Sequence, residues 1–470
     1  MADLSSPAAY PRPPLPPGPY LVVGLARSGV AAALALRAAR PEERVVACDS
    51  GTPAEALLEA ERLARAGVEV HLETNGIHLL EATPPPATLV KSPGVPWHAE
   101  VVGQARLRDI AVIGELELGW RLVPNEFIAV TGTNGKTTTV ELIGAIHRAA
   151  GEPVAVAGNV GTPVSSLAGR MDHAATVVCE ASSFQLEDAD AFAPEAAVFL
   201  NISEDHLDRH ASMSDYRAAK LRLFAHQRLS DLAVLNGDDA GLLSDDPLRP
   251  VDIVARTVTF GLRPSNDVRL EDGWIVWNGE RVIDSREVRL RGKPNLYNAM
   301  AAATVCLERG IGREPVCSAL REFPGLPHRL EHVTEIDGVE YINDSKATNP
   351  GAASAAMETI GGGLHVILGG SLKGDTEFHD LDFAVSLGSR AVYLIGEAAD
   401  RIAAALESPD VEIVRCGDLP RAVAEASRRA RPGEKVLLSP ACASFDQYRD
   451  YEERGEHFKE LVRMLAVKGR

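Results

Sequence analysis

The stretch Phe127-Ile128-Ala129-Val130-Thr131-Gly132-Thr133-Asn134-Gly135-Lys136-Thr137-Thr138 decides the fold. It opens on four apolar residues, turns through two glycines, and runs into Leu142, Ile143 and Ile146 at helical spacing. A strand, a glycine loop and a helix in that order let backbone N–H groups and a helix N-terminus hold a polyphosphate. Lys136 is placed to reach the β- and γ-phosphates, and the Thr137 hydroxyl to ligate Mg²⁺. Gly132, Thr133, Asn134, Gly135 and Thr138 complete the expected ATP cradle. The loop departs from the common phosphate-loop pattern at one point, because Val130 stands where that pattern has its first glycine.

Working outward, the same strand–helix alternation recurs on both sides. Upstream, residues 20–23 read as a buried strand, 28–38 as an alanine-rich helix and 44–47 as a second strand ending at Asp49, with further strand-like runs at 89–90 and 110–113. Around the loop, apolar runs at 176–179, 197–202 and 232–235 continue a parallel sheet, and Asn278-Gly279 between two β-prone runs signals a hairpin. Downstream, strand candidates at 339–342, 365–368, 391–395, 411–414 and 436–438 alternate with helix-length segments. The expected fold class is α/β in three domains: a Rossmann-like domain over residues 20–114, a phosphate-loop mononucleotide-binding ATPase domain over 115–325, and a Rossmann-like C-terminal domain over 326–470. Residues 1–19, with seven prolines in the first twenty positions, are expected to form a disordered arm. In open sheets of this type ligands sit at the carboxyl ends of strands, so the chemistry is sought there.

Composition narrows the function classes. The 470 residues suit about three domains. Acidic residues outnumber basic ones, 66 against 48, for a net charge of -18, which disfavours a nucleic-acid or anionic-membrane surface. The six cysteines are scattered without metal-ligand spacing and read as buried reduced thiols. No apolar run reaches the ~18 residues of a spanning helix. A cytoplasmic protein, expected to be monomeric, fits these features.

The Gly-Thr-Asn-Gly-Lys-Thr-Thr loop resembles that of the Mur ligase and folylpolyglutamate synthase superfamily. Further marks of that family follow in order. They are Gly158-Asn159-Val160-Gly161, Glu180-Ala181-Ser182-Ser183-Phe184-Gln185-Leu186-Glu187 and Asn201-Ile202-Ser203-Glu204-Asp205-His206-Leu207-Asp208. Lys220, Asn295 with Asn298, His328-Arg329, residues 343–349 (Asn-Asp-Ser-Lys-Ala-Thr-Asn) and Ser439-Pro440-Ala441-Cys442-Ala443-Ser444 complete the series.

The resemblance implies an ATP-dependent amide-bond ligase that phosphorylates a substrate carboxylate and then captures the acyl phosphate with an amine. It implies two Mg²⁺ ions, one on Thr137 and Glu180, the other supported by His206 and a carbamylated Lys220. Taken alone, Glu180 is an ordinary strand end, His206 a structural or surface histidine, and Lys220 a solvated lysine on a basic helix. Asn295 and Asn298 would read adenine or cap a helix. Arg329 would meet ATP phosphates and Asp344 the ribose or a lysine, with an interdomain salt bridge as the alternative for either. Asn159 would contact substrate or nucleotide.

The outer domains would hold the two substrates to be joined. Gly24-Leu25-Ala26-Arg27-Ser28-Gly29 is by itself a weak dinucleotide signal, with Ala26 where such sites carry a second glycine. Beside an ATP loop it reads better as a UDP-sugar site, using Arg27, Ser28, Asp49 and Ser50, with Ser92-Pro93-Gly94 on the rim. In the third domain Lys346, Thr348, Lys373, Ser444, Phe445 and Tyr451 form the expected cradle for a dicarboxylic amino acid. Residues 343–349 and 439–447 are similar to the branch that adds D-glutamate, implying UDP-N-acetylmuramoyl-L-alanine and D-glutamate as partners. The alternatives are a Mur or folylpolyglutamate-synthase-like ligase with a different acceptor, an ATP-switched binding protein, and a nicotinamide dehydrogenase.

Overall fold

A computed structural model describes residues 12–51, 54–205, 209–243, 253–372, 376–408 and 410–468. His206, Lys373 and residues 1–11 of the arm lie outside the described residues. Cα packing divides the chain into Met1–Glu287 with Tyr297–Arg321, and Val288–Leu296 with Glu322–Arg470. The first unit carries two sheets and gathers the expected first domain with most of the second, while residues 288–296 and 322–325 of the expected second domain fall in the second unit.

In the first sheet β1 (Tyr20–Val23), β2 (Val45–Cys48), β3 (Glu69–His71), β4 (Thr88–Lys91) and β5 (Ala111–Gly114) are parallel in the order β3-β2-β1-β4-β5. Every residue of β1, β2 and β4 is buried, as strands covered by helices on both faces must be. The chain runs outward from β1 and returns at β4, which puts the switch-point crevice beside the ends of these strands. The helix Glu115–Leu122 then joins the two sheets. Its Leu118 enters the first core, and its Leu116 and Trp120 enter the second.

The central sheet contains β6 (Phe127–Thr131), β7 (Val154–Gly158), β8 (Thr176–Glu180), β9 (Ala196–Phe199), β10 (Leu232–Asn236), β11 (Arg256–Gly261), β12 (Val268–Glu271), β13 (Trp274–Trp277) and β14 (Glu280–Asp284). The order is β14-β13-β12-β11-β10-β9-β6-β8-β7, parallel from β7 to β12 and antiparallel through the last three. Asn278 (φ 50°) and Gly279 (φ 76°) both turn left-handed between β13 and β14, as an Asn-Gly hairpin requires.

The second unit is built on β15 (Glu331–Ile336), β16 (Val339–Asn343), β17 (Leu364–Gly369), β18 (Ser389–Ile395), β19 (Glu412–Gly417) and β20 (Lys435–Leu438), in the order β15-β16-β20-β17-β18-β19. All five expected strands are present. The sequence reading missed β15, an antiparallel edge strand whose residues are at most half-buried and so lack a continuous apolar run.

The arm departs from expectation over residues 12–19. Pro19 O accepts from the Ala87 and Thr88 amides, Pro17 O accepts from Thr88 Oγ1 at 2.7 Å, and Pro16 O accepts from Tyr20 Oη at 2.7 Å. Arg12 pairs with Glu195 at 3.2 Å, donates to Asn125 O at 2.7 Å and lies 4.4 Å from the Trp120 ring centroid. Proline richness predicts a lack of helix or strand, and that holds; it does not preclude an extended segment bonded along its length. All six cysteines are buried free thiols. Among the described residues no helix is long and apolar enough to cross a membrane.

Candidate active site

The loop after β6 is folded as its residue types require. Gly135 adopts φ 87°, and a Cβ there would lie 2.2 Å from Asn298 Oδ1, so no other residue fits the turn. Lys136 begins the helix Lys136–Ala149, and its Nζ folds back to donate to Gly132 O and Thr133 O, each at 2.8 Å. The Asn134 amide donates to Asn201 Oδ1 at 2.9 Å, and Asn201 Nδ2 donates to Asn134 O at 3.1 Å, which joins the loop to the end of β9.

Glu180 closes β8 and is buried. Thr137 Oγ1 donates to its Oε2 at 2.7 Å and Asn159 Nδ2 donates to its Oε1 at 3.1 Å. Gly158 makes this approach possible: at φ 118° it lies so close to β8 that a Cβ would meet Glu180 O at 2.2 Å. A hydroxyl and a carboxylate at the mouth of a phosphate loop are the hard oxygen donors Mg²⁺ prefers. Among the described residues no three His, Cys, Asp or Glu side chains gather as a metal cluster. One or two protein oxygens suffice where phosphates supply the rest.

Lys220 is the clearest correction to an ordinary reading of the sequence. It is not solvated but 1% exposed, and its Nζ donates to Gly132 O at 2.9 Å, the carbonyl that also accepts from Lys136. Its Nζ stands 4.4 Å from the Tyr216 ring centroid. Burial, reinforced by the neighbouring Lys136 charge, holds its amine well below the usual lysine range. Helical spacing alone cannot signal this, since Ala218, Ala219 and Lys220 belong to a short helix, Met213–Leu221, with little amphipathic contrast.

In the first sheet Asp49 does not face outward only. Its Oδ2 accepts from the Leu25 amide at 2.6 Å and its Oδ1 from the Gly51 amide at 2.8 Å, so it locks the glycine turn beside which Arg27 stands exposed and Ser28 half-buried. Ser92 Oγ donates to Gly24 O at 2.7 Å, which brings the expected rim onto the same turn. Ser50 lies exposed between Asp49 and Gly51.

Within the second unit, residues after β16 and β20 meet. Ser439 Oγ donates to Asp344 Oδ2 at 2.8 Å and the Leu330 amide to Asp344 Oδ1 at 3.1 Å, so Asp344 holds the turn carrying Arg329. Ser371 bridges Ala443 next to the buried Ser444, Phe445 is 73% exposed, and Lys346 Nζ lies 5.6 Å from the Tyr451 ring centroid. Thr348 is half-buried just ahead of the Asn349 cap of the helix Pro350–Ile360. Asn295 Nδ2 donates to Arg291 O at 2.9 Å, while Asn298 lies against Gly135 and accepts from Thr139 Oγ1 at 3.4 Å. The sequence reading missed Arg454. Its buried guanidinium donates to Ser345 Oγ (3.0 Å), Ser345 O (2.9 Å), Cys442 O (3.1 Å) and Ala443 O (3.1 Å), tying the segment after β16 to the loop after β20. An arginine in a charged terminal helix reads as solvated, so nothing local announces this.

Burial pushes the Asp344 carboxyl up from 3.8 to about 7, against the opposing charge of Arg329. The folded chain therefore binds this proton more tightly than the unfolded chain. That contribution is complete below about pH 4 and is lost as pH rises to about 7. Asp344→Asn removes the titration, so thermal unfolding of variant and wild type at pH 5 and pH 8 should differ in pH response by about 5 °C. An identical pH response in both proteins would contradict this assignment.

A phosphate loop with its carboxylate partner, in a chain that carries two further α/β sheets, defines the chain's class. Residues 130–306 match the Mur ligase middle domain and residues 328–442 the Mur ligase glutamate ligase domain. The chain belongs to the Mur ligase family. Within that family it is 42% identical over 455 residues to a UDP-N-acetylmuramoylalanine--D-glutamate ligase of Pelotomaculum thermopropionicum, covering 95% of this chain and 97% of the relative. The enzyme of the same name from Koribacter versatilis is 40% identical over 458 residues, with 95% and 97% covered. Among solved structures, a MurF ligase from Thermotoga maritima in complex with ADP superposes with a TM-score of 0.58 at 18% identity, covering 91% of this chain and 97% of that one. That likeness is one of fold.

Proposed function

We propose that this protein joins D-glutamate to UDP-N-acetylmuramoyl-L-alanine with cleavage of ATP to ADP and phosphate, in the cytoplasmic synthesis of peptidoglycan precursors. The observation that carries the reading is the meeting of Thr137, Glu180, Asn159, Lys136 and Lys220 around one glycine loop, in a chain alike over nearly its full length to D-glutamate ligases.

The chemistry needs an anionic carboxylate brought to a polyanion. Mg²⁺, held by Thr137 and Glu180 with a second ion supported by His206 and Lys220, would supply neutralisation of the phosphate charge. Lys136, released from Gly132 O and Thr133 O, turns its Nζ to the γ-phosphate. A substrate carboxylate oxygen attacks the γ-phosphorus and ADP leaves. The neutral amine of D-glutamate then attacks the acyl carbon, phosphate leaves and the nitrogen loses a proton. Asn159 and Glu180 orient one another at the site of the first step. Arg27, Ser28, Asp49 and Ser50 are proposed for the UDP end, and Asn295, Asn298, Arg329 and Asp344 for the nucleotide. Lys346, Thr348, Lys373, Ser444, Phe445 and Tyr451 are proposed for D-glutamate. A cationic partner such as Lys373 would favour a second carboxylate over a neutral side chain by several kcal/mol, roughly.

The two-step reading is tested by withholding the amino acid. Enzyme, ATP and the UDP-substrate should accumulate an acyl phosphate that borohydride reduces to the corresponding alcohol, detectable by mass. Absence of that alcohol, with turnover intact once D-glutamate is added, would contradict the acyl-phosphate step.

A further inference from the structure

A row of stacked side chains runs from the first sheet to Lys220. Arg209 Nη2 donates to Pro93 O at 3.1 Å and Val95 O at 3.4 Å, in the loop that follows β4. Its guanidinium carbon lies 3.8 Å from the Phe184 ring centroid. The His210 ring stacks on Phe184 at 5.6 Å and 19°, and tilts against Tyr216 at 5.0 Å. Tyr216 in turn carries Lys220 Nζ on its ring and meets Thr133 Oγ1 with its hydroxyl at 3.3 Å. His210 is fixed sideways by Ser183 Oγ at 3.0 Å and Glu187 at 3.2 Å.

The same loop is gripped a second time. Lys91, 0% exposed, pairs with Asp188 at 2.6 Å and donates to Val95 O at 2.6 Å. Asp188 caps the helix Ser183–Glu187, which carries Phe184. Two cations thus fasten residues 92–95 to one short helix of the central sheet. Burying an ion pair such as Lys91–Asp188 contributes little net stability and is better explained by what it orients. What it orients is the rim on the Gly24 turn, through Ser92 Oγ.

We infer that Arg209 is a positioning residue for the ligase reaction, acting through Phe184 to hold the substrate rim at residues 92–95 in register with the phosphate loop and Lys220. The inference rests on the proposed UDP-substrate site in the first sheet. Arginine suits the role because its planar head can stack on a ring while donating in its own plane, which lysine cannot do.

The test is steady-state kinetics of Arg209→Lys, which keeps the charge and loses the stack. KM for the UDP-substrate should rise about tenfold, the size of one desolvated cation–π contact with its hydrogen bond. KM for ATP and for D-glutamate should stay within about twofold, and the melting temperature should hold. Phe184→Leu should reproduce this split and Phe184→Tyr, which keeps the ring, should behave as wild type. If Arg209→Lys fails to fold, Phe184→Leu against Phe184→Tyr decides alone. An unchanged KM for the UDP-substrate, or equal rises in all three KM values, would overturn the inference. Wild type assayed in parallel separates the two claims: no turnover of the UDP-substrate by wild type would sink the substrate assignment itself.

Discussion

Replacing Lys136 by alanine should lower ATP-dependent turnover by at least about a thousandfold and leave the fold intact. The reason is geometric. Its Nζ rests on Gly132 O and Thr133 O, a carbonyl pair of its own glycine loop, so the cation already stands at the proposed phosphate site. Removing it costs the loop two hydrogen bonds, each about 1 kcal/mol net, which a protein of this size withstands. The transition state should lose far more, because the transferring phosphoryl group loses the ammonium proposed to meet it, and the proposed Mg²⁺ ions would neutralise only part of its charge. Arginine should not rescue, since a broad planar fork does not reproduce a compact ammonium seated on both Gly132 O and Thr133 O. Phosphate release at saturating substrates, with melting temperature as control, checks this; activity within about tenfold of wild type would contradict the role of the loop.

The second large effect is at Lys220. Lys220→Ala should lose about a hundredfold or more in turnover, and short carboxylic acids such as formate or acetate should restore part of it. Two amines share Gly132 O, and burying both as cations is costly. A neutral amine is the form that adds CO₂, and burial beside Lys136 drives Lys220 toward it. Once carbamylated, the side chain is an anion next to Lys136, so repulsion becomes attraction and an oxygen donor for metal appears. Depleting CO₂ or lowering pH returns the amine and should reduce wild-type activity, while leaving the acid-rescued alanine variant insensitive to CO₂. Full activity of the alanine variant, or rescue by nothing, would contradict a carbamate.

Which parts of this were legible from sequence follows from the range of the forces involved. The strand, loop and helix at 127–149 are specified locally, by an apolar run, a left-handed Gly135 and helix-forming residues after it, and they fold as read. Five of the six strands of the last sheet were equally plain, as short apolar runs between helix-length segments. The short strand β3 and the edge strand β15 were not, because half-exposed strands pair without a distinctive pattern. Glu180 could be placed at a strand end from its neighbours. Its engagement with Thr137 and Asn159 depends on Gly158 pressing β7 against β8, a contact between distant segments. The burial of Lys220 and Arg454, the pinned arm at residues 12–19 and the Arg209–Phe184 stack share that character. Each rests on long-range contacts made by a residue or segment whose local context reads as solvent-facing.

The central claim is most directly tested by phosphate release from ATP with UDP-N-acetylmuramoyl-L-alanine present, across D-glutamate, L-glutamate, L-lysine and meso-diaminopimelate, with product mass read in each case. Release that depends on D-glutamate, with the mass gain of one glutamyl residue, is the predicted result. Release driven by another amino acid would contradict the assignment of Lys346, Thr348, Lys373 and Ser444 to a D-glutamate cradle, and release with none of them would contradict the ligase reading as a whole.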